Sequence, residues 1–167
     1  MAMNGMSVEL QVVEGVEFND FDENDLQRLI DVTRTALISE VADATLARLD
    51  QDLCVRLCDA EESQSLNSTY RDRAYPTNVL SFAGDADAGM LGDLAVCVAV
   101  LVQEADEQNK SVSDHTTHLV LHGVLHLLGF DHERDDDADE MERLEIKVLA
   151  ALGIGNPYRV ADGAQGV

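Results

Sequence analysis

Residues 118–132 read His118-Leu-Val-Leu-His122-Gly-Val-Leu-His126-Leu-Leu-Gly129-Phe-Asp131-His132, and apolar side chains fill nearly every gap between the histidines. The run holds no proline, and its length suits a buried helix rather than a strand. At ~100° per residue, a step of four places His122 and His126 on one helix face, one turn apart. Two imidazoles so placed can grip a single metal ion. Gly129 is a helix terminator, because glycine accepts the left-handed conformation at little cost. Beyond it the chain can turn back and offer His132 to the same metal.

His-x3-His-x5-His, with glycine three residues after the second histidine, matches the extended zinc motif of metzincin peptidases in spacing. Zincin peptidases carry a glutamate directly after the first histidine to deprotonate the metal's water. This chain has Gly123 there, which can neither take nor give a proton, so peptide hydrolysis by the usual route is not expected. His118 is a different case. About 12 Å of helical rise separates it from His126. Both cannot bind one zinc at ~2.0–2.1 Å, so the expected ligand set is His122, His126 and His132. His118 remains a cleft residue, a support for the ligands or a packing residue. Three protein ligands leave one position of a single zinc ion open, the mark of a catalytic rather than a structural site. Water there can have its pKa lowered from 15.7 to about 7.

The composition bounds the setting. At 167 residues the chain is expected to form one domain over residues 1–158, followed by a flexible tail at 159–167. The longest apolar stretch, Leu94–Val102, is too short to span a bilayer, and residues 1–15 lack the pattern of a signal peptide. The expected address is the cytoplasm, with no membrane partner. Cys54, Cys58 and Cys97 have no framework spacing and are expected to be reduced and mostly buried. The net charge of −22, from 11 basic and 33 acidic side chains, repels polyanions. Taken alone it argues against nucleic acid, DNA included, so any RNA reading must answer it.

The elements that would carry the motif follow in order. Val8–Val13 is a strand-like run. Asp20–Asp25 faintly resembles a calcium loop but lacks the glycine and the final glutamate, so it is read as the cap of a helix carrying Leu26, Leu29, Ile30, Thr33 and Leu37. Leu53–Leu57 and Thr77–Phe82 read as strands, with a polar helix over Glu61–Tyr70 between them and Arg71 on the loop after it. Gly84–Gly89 is a loop, Leu91–Val100 a fourth strand and Gln103–Asn109 a helical turn. The histidine helix runs from about Ser113 to Leu128, and a last helix buries Met141, Leu144, Val148 and Leu152 before Gly153. Strands and helices mix without strict alternation, which predicts an α+β domain with helices packed on a small sheet of about four strands.

Three blocks together resemble the YbeY family: Tyr70-Arg71 with Pro76-Thr-Asn-Val-Leu-Ser-Phe82, then Leu91-Gly-Asp93-Leu-Ala-Val-Cys97, then His122 through His132. The likeness runs from about residue 50 to Tyr158. Phe130 stands where a tyrosine is common in the family, which removes one hydroxyl. The resemblance implies a small, mostly parallel sheet flanked by helices, with the metal-binding helix lining an open cleft. It implies a bacterial metal-dependent endoribonuclease of ribosomal RNA maturation and ribosome quality control. It makes His122, His126 and His132 the ligands of one Zn2+ and Arg71 the cleft arginine required for activity.

Read alone, Arg71 suits a surface salt bridge as well as a phosphate contact. In the family context its planar guanidinium pairs with the phosphate oxygens on which charge accumulates. Arg73 is a candidate backbone contact, and Asp93 and Asp131 are candidate acid/base groups or supports for a ligand. The expected substrate is single-stranded ribosomal RNA, with the ribosome or ribosomal proteins as partners. Two rivals remain: a zinc hydrolase of another substrate, including a peptide, and a ribosome-associated assembly factor whose zinc is mainly structural. Phosphate affinity would require Arg56, Arg71, Arg73, Lys110 and Arg134 to gather around the cleft. The expected outcome is weak binding to isolated RNA that added salt strongly reduces, measurable by titration at two ionic strengths.

Overall fold

The computed structural model describes residues 7–130 and 135–158. Four strands form one mixed sheet: β1 (Val8–Val12), β2 (Asp52–Cys58), β3 (Val79–Ala83) and β4 (Met90–Cys97). Their spatial order is β1-β2-β4-β3, with β1–β2 and β2–β4 parallel and the edge strand β3 antiparallel to β4. The helices are α1 (Glu23–Leu37), α2 (Asp43–Ala47), α3 (Ala60–Arg71), α4 (Val98–Glu107), α5 (Val112–Leu127) and α6 (Asp135–Ala151). This is the α+β fold expected, with its small, mostly parallel sheet flanked by helices. Among the described residues no helix is long and apolar enough to cross a membrane. The tail expected at 159–167 lies outside the described residues.

Alternation along β2 divides the two faces of the sheet. Leu53, Val55 and Leu57 are buried in the main core, together with Leu94 and Val96 of β4 and the apolar faces of α1, α5 and α6. The opposite face holds a smaller cluster, where Cys58, Leu80 and Ala95 pack with Leu66 of α3 and with Phe82. Cys58 and Cys97 face each other in register, and both are buried and free. Burial, and then the neighbouring Cys97, push the Cys58 thiol up to about 12, which leaves it unreactive. Cys54 is half-buried and free. The cysteines pack, as their spacing suggested.

Local signals fix two helix ends. Asp22 caps α1, accepting from the Asp25 amide while the Asp25 side chain accepts from the Asp22 amide, so the calcium-like segment is a reciprocal cap. Gly129 ends α5 with φ +106°. The Gly129 amide donates to the His126 carbonyl and the Phe130 amide to the Leu125 carbonyl, the paired closing bonds of a left-handed cap.

Elsewhere the chain departs from expectation. β4 stops at Cys97, and Val98–Val100 opens α4 instead of prolonging the strand. Val79 is the last β3 residue paired with β4, opposite Val96, and the Cys97 amide already bonds to the Asn78 carbonyl. Beyond that point the strand would have no ladder partner, so the backbone satisfies itself as a helix. The period then becomes helical, with Leu101 and Ala105 buried and Val102 exposed. α2 was not anticipated; it is a single short turn of helix with no buried residue.

Gly123 explains why α5 can lie so close to the sheet. A Cβ there would stand 2.7 Å from Cδ2 and 2.9 Å from Cδ1 of Leu94, itself 1% exposed. Position 123 therefore faces β4, and a peptidase-type glutamate has no room there. The variant Gly123→Glu is expected to lower stability by about 3 kcal/mol or more, through overpacking and a buried carboxylate. A urea midpoint equal to wild type would contradict this contact.

Candidate metal and phosphate site

α5 carries His118, His122 and His126 on one side, and their rings border a cleft of about 840 Å³. The His122 and His126 rings lie 4.7 Å apart between centroids, and their Nε2 atoms approach to 3.2 Å. The outer nitrogens are held separately. His122 Nδ1 lies 2.5 Å from Oε2 of Glu145, and His126 Nδ1 lies 3.1 Å from the carbonyl oxygen of Phe130. A carboxylate and a carbonyl can only accept, so both Nδ1 atoms donate. In the neutral rings each Nε2 then carries a lone pair, and the two lone pairs converge.

That arrangement fits a cation. Two nitrogens on one tetrahedral zinc at ~2.0–2.1 Å stand roughly 3.3 Å apart, and the two Nε2 atoms are 3.2 Å apart. A hydrogen-bonded partner on the outer nitrogen is also the usual way of fixing a ligand histidine. His132, the third member of the expected set, and Asp131 lie outside the described residues. Among the described residues no group of three or more His, Cys, Asp or Glu could hold a metal ion.

Glu145, on α6, went unnoticed in the sequence. It has no exposed surface and is shared by three groups: His122, His118 (Nε2 3.2 Å from Oε1) and the Tyr158 hydroxyl, which donates to Oε1. Burial pushes its carboxyl up, but hydrogen bonds from His118, His122 and Tyr158 outweigh this and hold it down at about 2. Burial and then Glu145 raise the Tyr158 hydroxyl well above its ordinary value, so it stays protonated. One signal was available in the sequence. Glu145 falls between Met141, Leu144 and Val148 on the apolar stripe of the last helix, where a charge needs a partner. His118 is thus a cleft-lining residue that steadies the carboxylate holding His122.

Arg71 is the last residue of α3, not a loop residue, and Asp72 closes the helix in the left-handed region at φ +60°. Its Nη1 donates to the Tyr70 carbonyl at 3.1 Å and its Nη2 to the Ser81 carbonyl at 2.8 Å, while the guanidinium lies 5.2 Å from the Phe82 ring centre. Among the described residues it forms no salt bridge, so the surface ion-pair reading does not hold. Two carbonyls orient it and neither neutralises it, and it lines the cleft together with Arg73.

Of the other expected cations, Arg56 and Lys110 do not gather there. Arg56 is engaged by Glu62 and Gln11, Lys110 is not among the cleft residues, and Arg134 lies outside the described residues. Asp93 is exposed on β4, opposite Cys54 and Phe82 in register, and does not line the cleft.

Residues 16–153 match the family described as Endoribonuclease YbeY. The chain is 54% identical over 113 residues to endoribonuclease YbeY of Alteromonas mediterranea, spanning 65% of this chain and 72% of that one. It is 50% identical over 127 residues to endoribonuclease YbeY of Stenotrophomonas maltophilia, spanning 71% and 79% respectively. The solution structure of TM1509 from Thermotoga maritima superposes with a TM-score of 0.55 at 23% identity, over 89% of this chain and 91% of that one, and so shares the fold.

The depressed Glu145 pKa has a sign for stability. Its folded value of about 2 lies below the ordinary 4.5, so its contribution is complete above about 4.5 and is lost as pH falls toward 2. The contribution is on the order of 3 kcal/mol. In chelator-treated protein, Glu145→Gln is expected to flatten stability against pH between those values, read as urea midpoints. An unchanged acid limb would remove Glu145 from this role.

Proposed function

The chain belongs to the YbeY family, and on that premise we propose that it is a zinc-dependent endoribonuclease of the cytoplasm. Its substrate is single-stranded ribosomal RNA, and its setting is rRNA maturation and ribosome quality control. The observation that carries the reading is the pair of Nε2 atoms 3.2 Å apart, with both outer nitrogens held by acceptors. That spacing matches two nitrogens on one tetrahedral ion. His122, His126 and His132 would hold one zinc ion there, and no other protein donor is assigned to it.

When bound, the ion supplies Lewis acidity toward a phosphate oxygen and lowers the pKa of water. The protein does the rest. Glu145 keeps the His122 proton on Nδ1, so Nε2 stays available to the ion. Arg71, steered by the Tyr70 and Ser81 carbonyls, meets the negative charge that builds on the non-bridging oxygens during cleavage. The absence of a glutamate at 123 leaves no peptidase base on the helix, which favours a phosphodiester over a peptide. The cleft volume, about 840 Å³, falls within the ~300–1,000 Å³ typical of ligand sites.

Charge sets the partner. Among the described residues, the cations that line the cleft are Arg71 and Arg73, in a protein of net charge −22. Long-range attraction to RNA is therefore weak, and the ribosome or a ribosomal protein is proposed to deliver the strand.

Metal content and RNA cleavage, measured on purified wild type, His126→Ala and Arg71→Ala, test the proposal. His126→Ala is expected to lose the metal and the activity together. Arg71→Ala is expected to keep the metal and lose cleavage by about 10²–10³-fold, as for removal of one donor to a developing charge. Equal metal and equal cleavage in all three proteins would defeat the assignment. A wild type that holds zinc and sediments with ribosomes but never cuts RNA would favour the assembly-factor role.

A further inference from the structure

The chain contains three tyrosines, four phenylalanines and no tryptophan. Phe21 is buried, and Phe18, Phe82 and Phe130 pack partly buried against the cores. The tyrosines behave differently. Tyr70, Tyr75 and Tyr158 are 59%, 49% and 40% exposed, although tyrosine is ordinarily of intermediate burial. Tyr158 lines the cleft, while Tyr70 shares the Phe82 ring with Arg71 and Tyr75 bonds Arg73, and both arginines line it. In a chain with few aromatic residues, every tyrosine lies in the cleft or in contact with a neighbour of its arginines.

These rings are held in place. Tyr70 meets Phe82 edge-on at 5.3 Å and 74°, and the Arg71 guanidinium lies over the same Phe82 ring. The Tyr75 hydroxyl accepts from Arg73 Nη1 at 2.9 Å, and the Tyr75 carbonyl accepts from Nδ2 of the buried Asn67 at 2.8 Å. Rings fixed in advance lose little entropy when a flat partner covers them.

Among the described residues, charge at the cleft is sparse. The two arginines that line it among the described residues contribute about −1.4 to the slope of log affinity against log salt on a single strand, where five cations would contribute roughly −3.5. Two arginines give a modest electrostatic grip, so uncharged contact has a share of the affinity to supply. We infer that Tyr70 and Tyr75, flanking the cleft arginines, form a shelf on which unpaired bases of the RNA strand stack while the phosphates meet Arg71 and Arg73. The inference rests on the RNA-cleaving reading above. Stacking on aromatic faces is tolerant of sequence and open only to bases outside a duplex, so the shelf selects single strands.

The test compares wild type, Tyr70→Leu/Tyr75→Leu and Tyr70→Phe/Tyr75→Phe, each metal-loaded and each checked for folding by its urea midpoint. Affinity is measured for a short oligoadenylate and for an abasic phosphodiester of equal length, at low and high salt, with RNA cleavage assayed alongside. Wild type is expected to prefer the oligoadenylate by about tenfold or more, and to keep that preference at high salt. The leucine pair is expected to lose it while binding the abasic strand unchanged, and the phenylalanine pair to retain it. If wild type cuts RNA and the leucine pair binds oligoadenylate as tightly as wild type, the shelf is overturned and the nuclease reading stands. If wild type neither binds nor cuts RNA, both fall.

Discussion

Glu145 ties the histidine face of α5 to α6 from a position with no exposed surface. An ionised carboxylate there is tolerable only because His122, His118 and Tyr158 all donate to it. The dependence runs both ways. The carboxylate fixes which nitrogen of His122 carries the proton, and so which one turns toward His126. It also secures Tyr158, and with it one wall of the cleft.

α5 serves two masters. Leu119, Val120, Val124 and Leu125 are buried against the sheet and its neighbouring helices, while His118, His122 and His126 look into the cleft. Gly123 allows the helix to settle on Leu94 of β4, which sets how deep the histidines sit relative to the edge strand β3. β3 supplies the Ser81 carbonyl that steers Arg71 and the Phe82 ring beneath its guanidinium. The histidine pair and Arg71, proposed to hold metal and phosphate, therefore share one reference, the end of the sheet formed by β3 and β4.

The charge distribution makes sense in that frame. The net charge is −22, and the two arginines that line the cleft among the described residues are both fixed by neighbouring oxygens. Aromatic rings beside them offer contact that does not depend on charge. A site so built suits the proposed discrimination by fit and delivery more than electrostatic capture.

Sequence alone determined whatever depends on neighbours along the chain. The spacing of His122 and His126, the left-handed stop at Gly129, the reciprocal cap at Asp22 and the missing base at 123 are all statements about a few consecutive residues, and helical geometry converts them directly into position. The α+β class followed from the same local periods. Tertiary structure decided what depends on distant partners. Glu145 and Tyr158 reach α5 from 23 and 40 residues away from the histidines they touch, so no local pattern links them. Arg71 was legible as a residue but not as the end of a helix braced on β3, and Arg56 was drawn off by Glu62 instead of joining it. β4 gave way to α4 at Cys97 because its ladder partners ran out, a limit set by the register of other strands. Local preference is written in the chain; which satisfied partner each group finds is settled only when the elements pack.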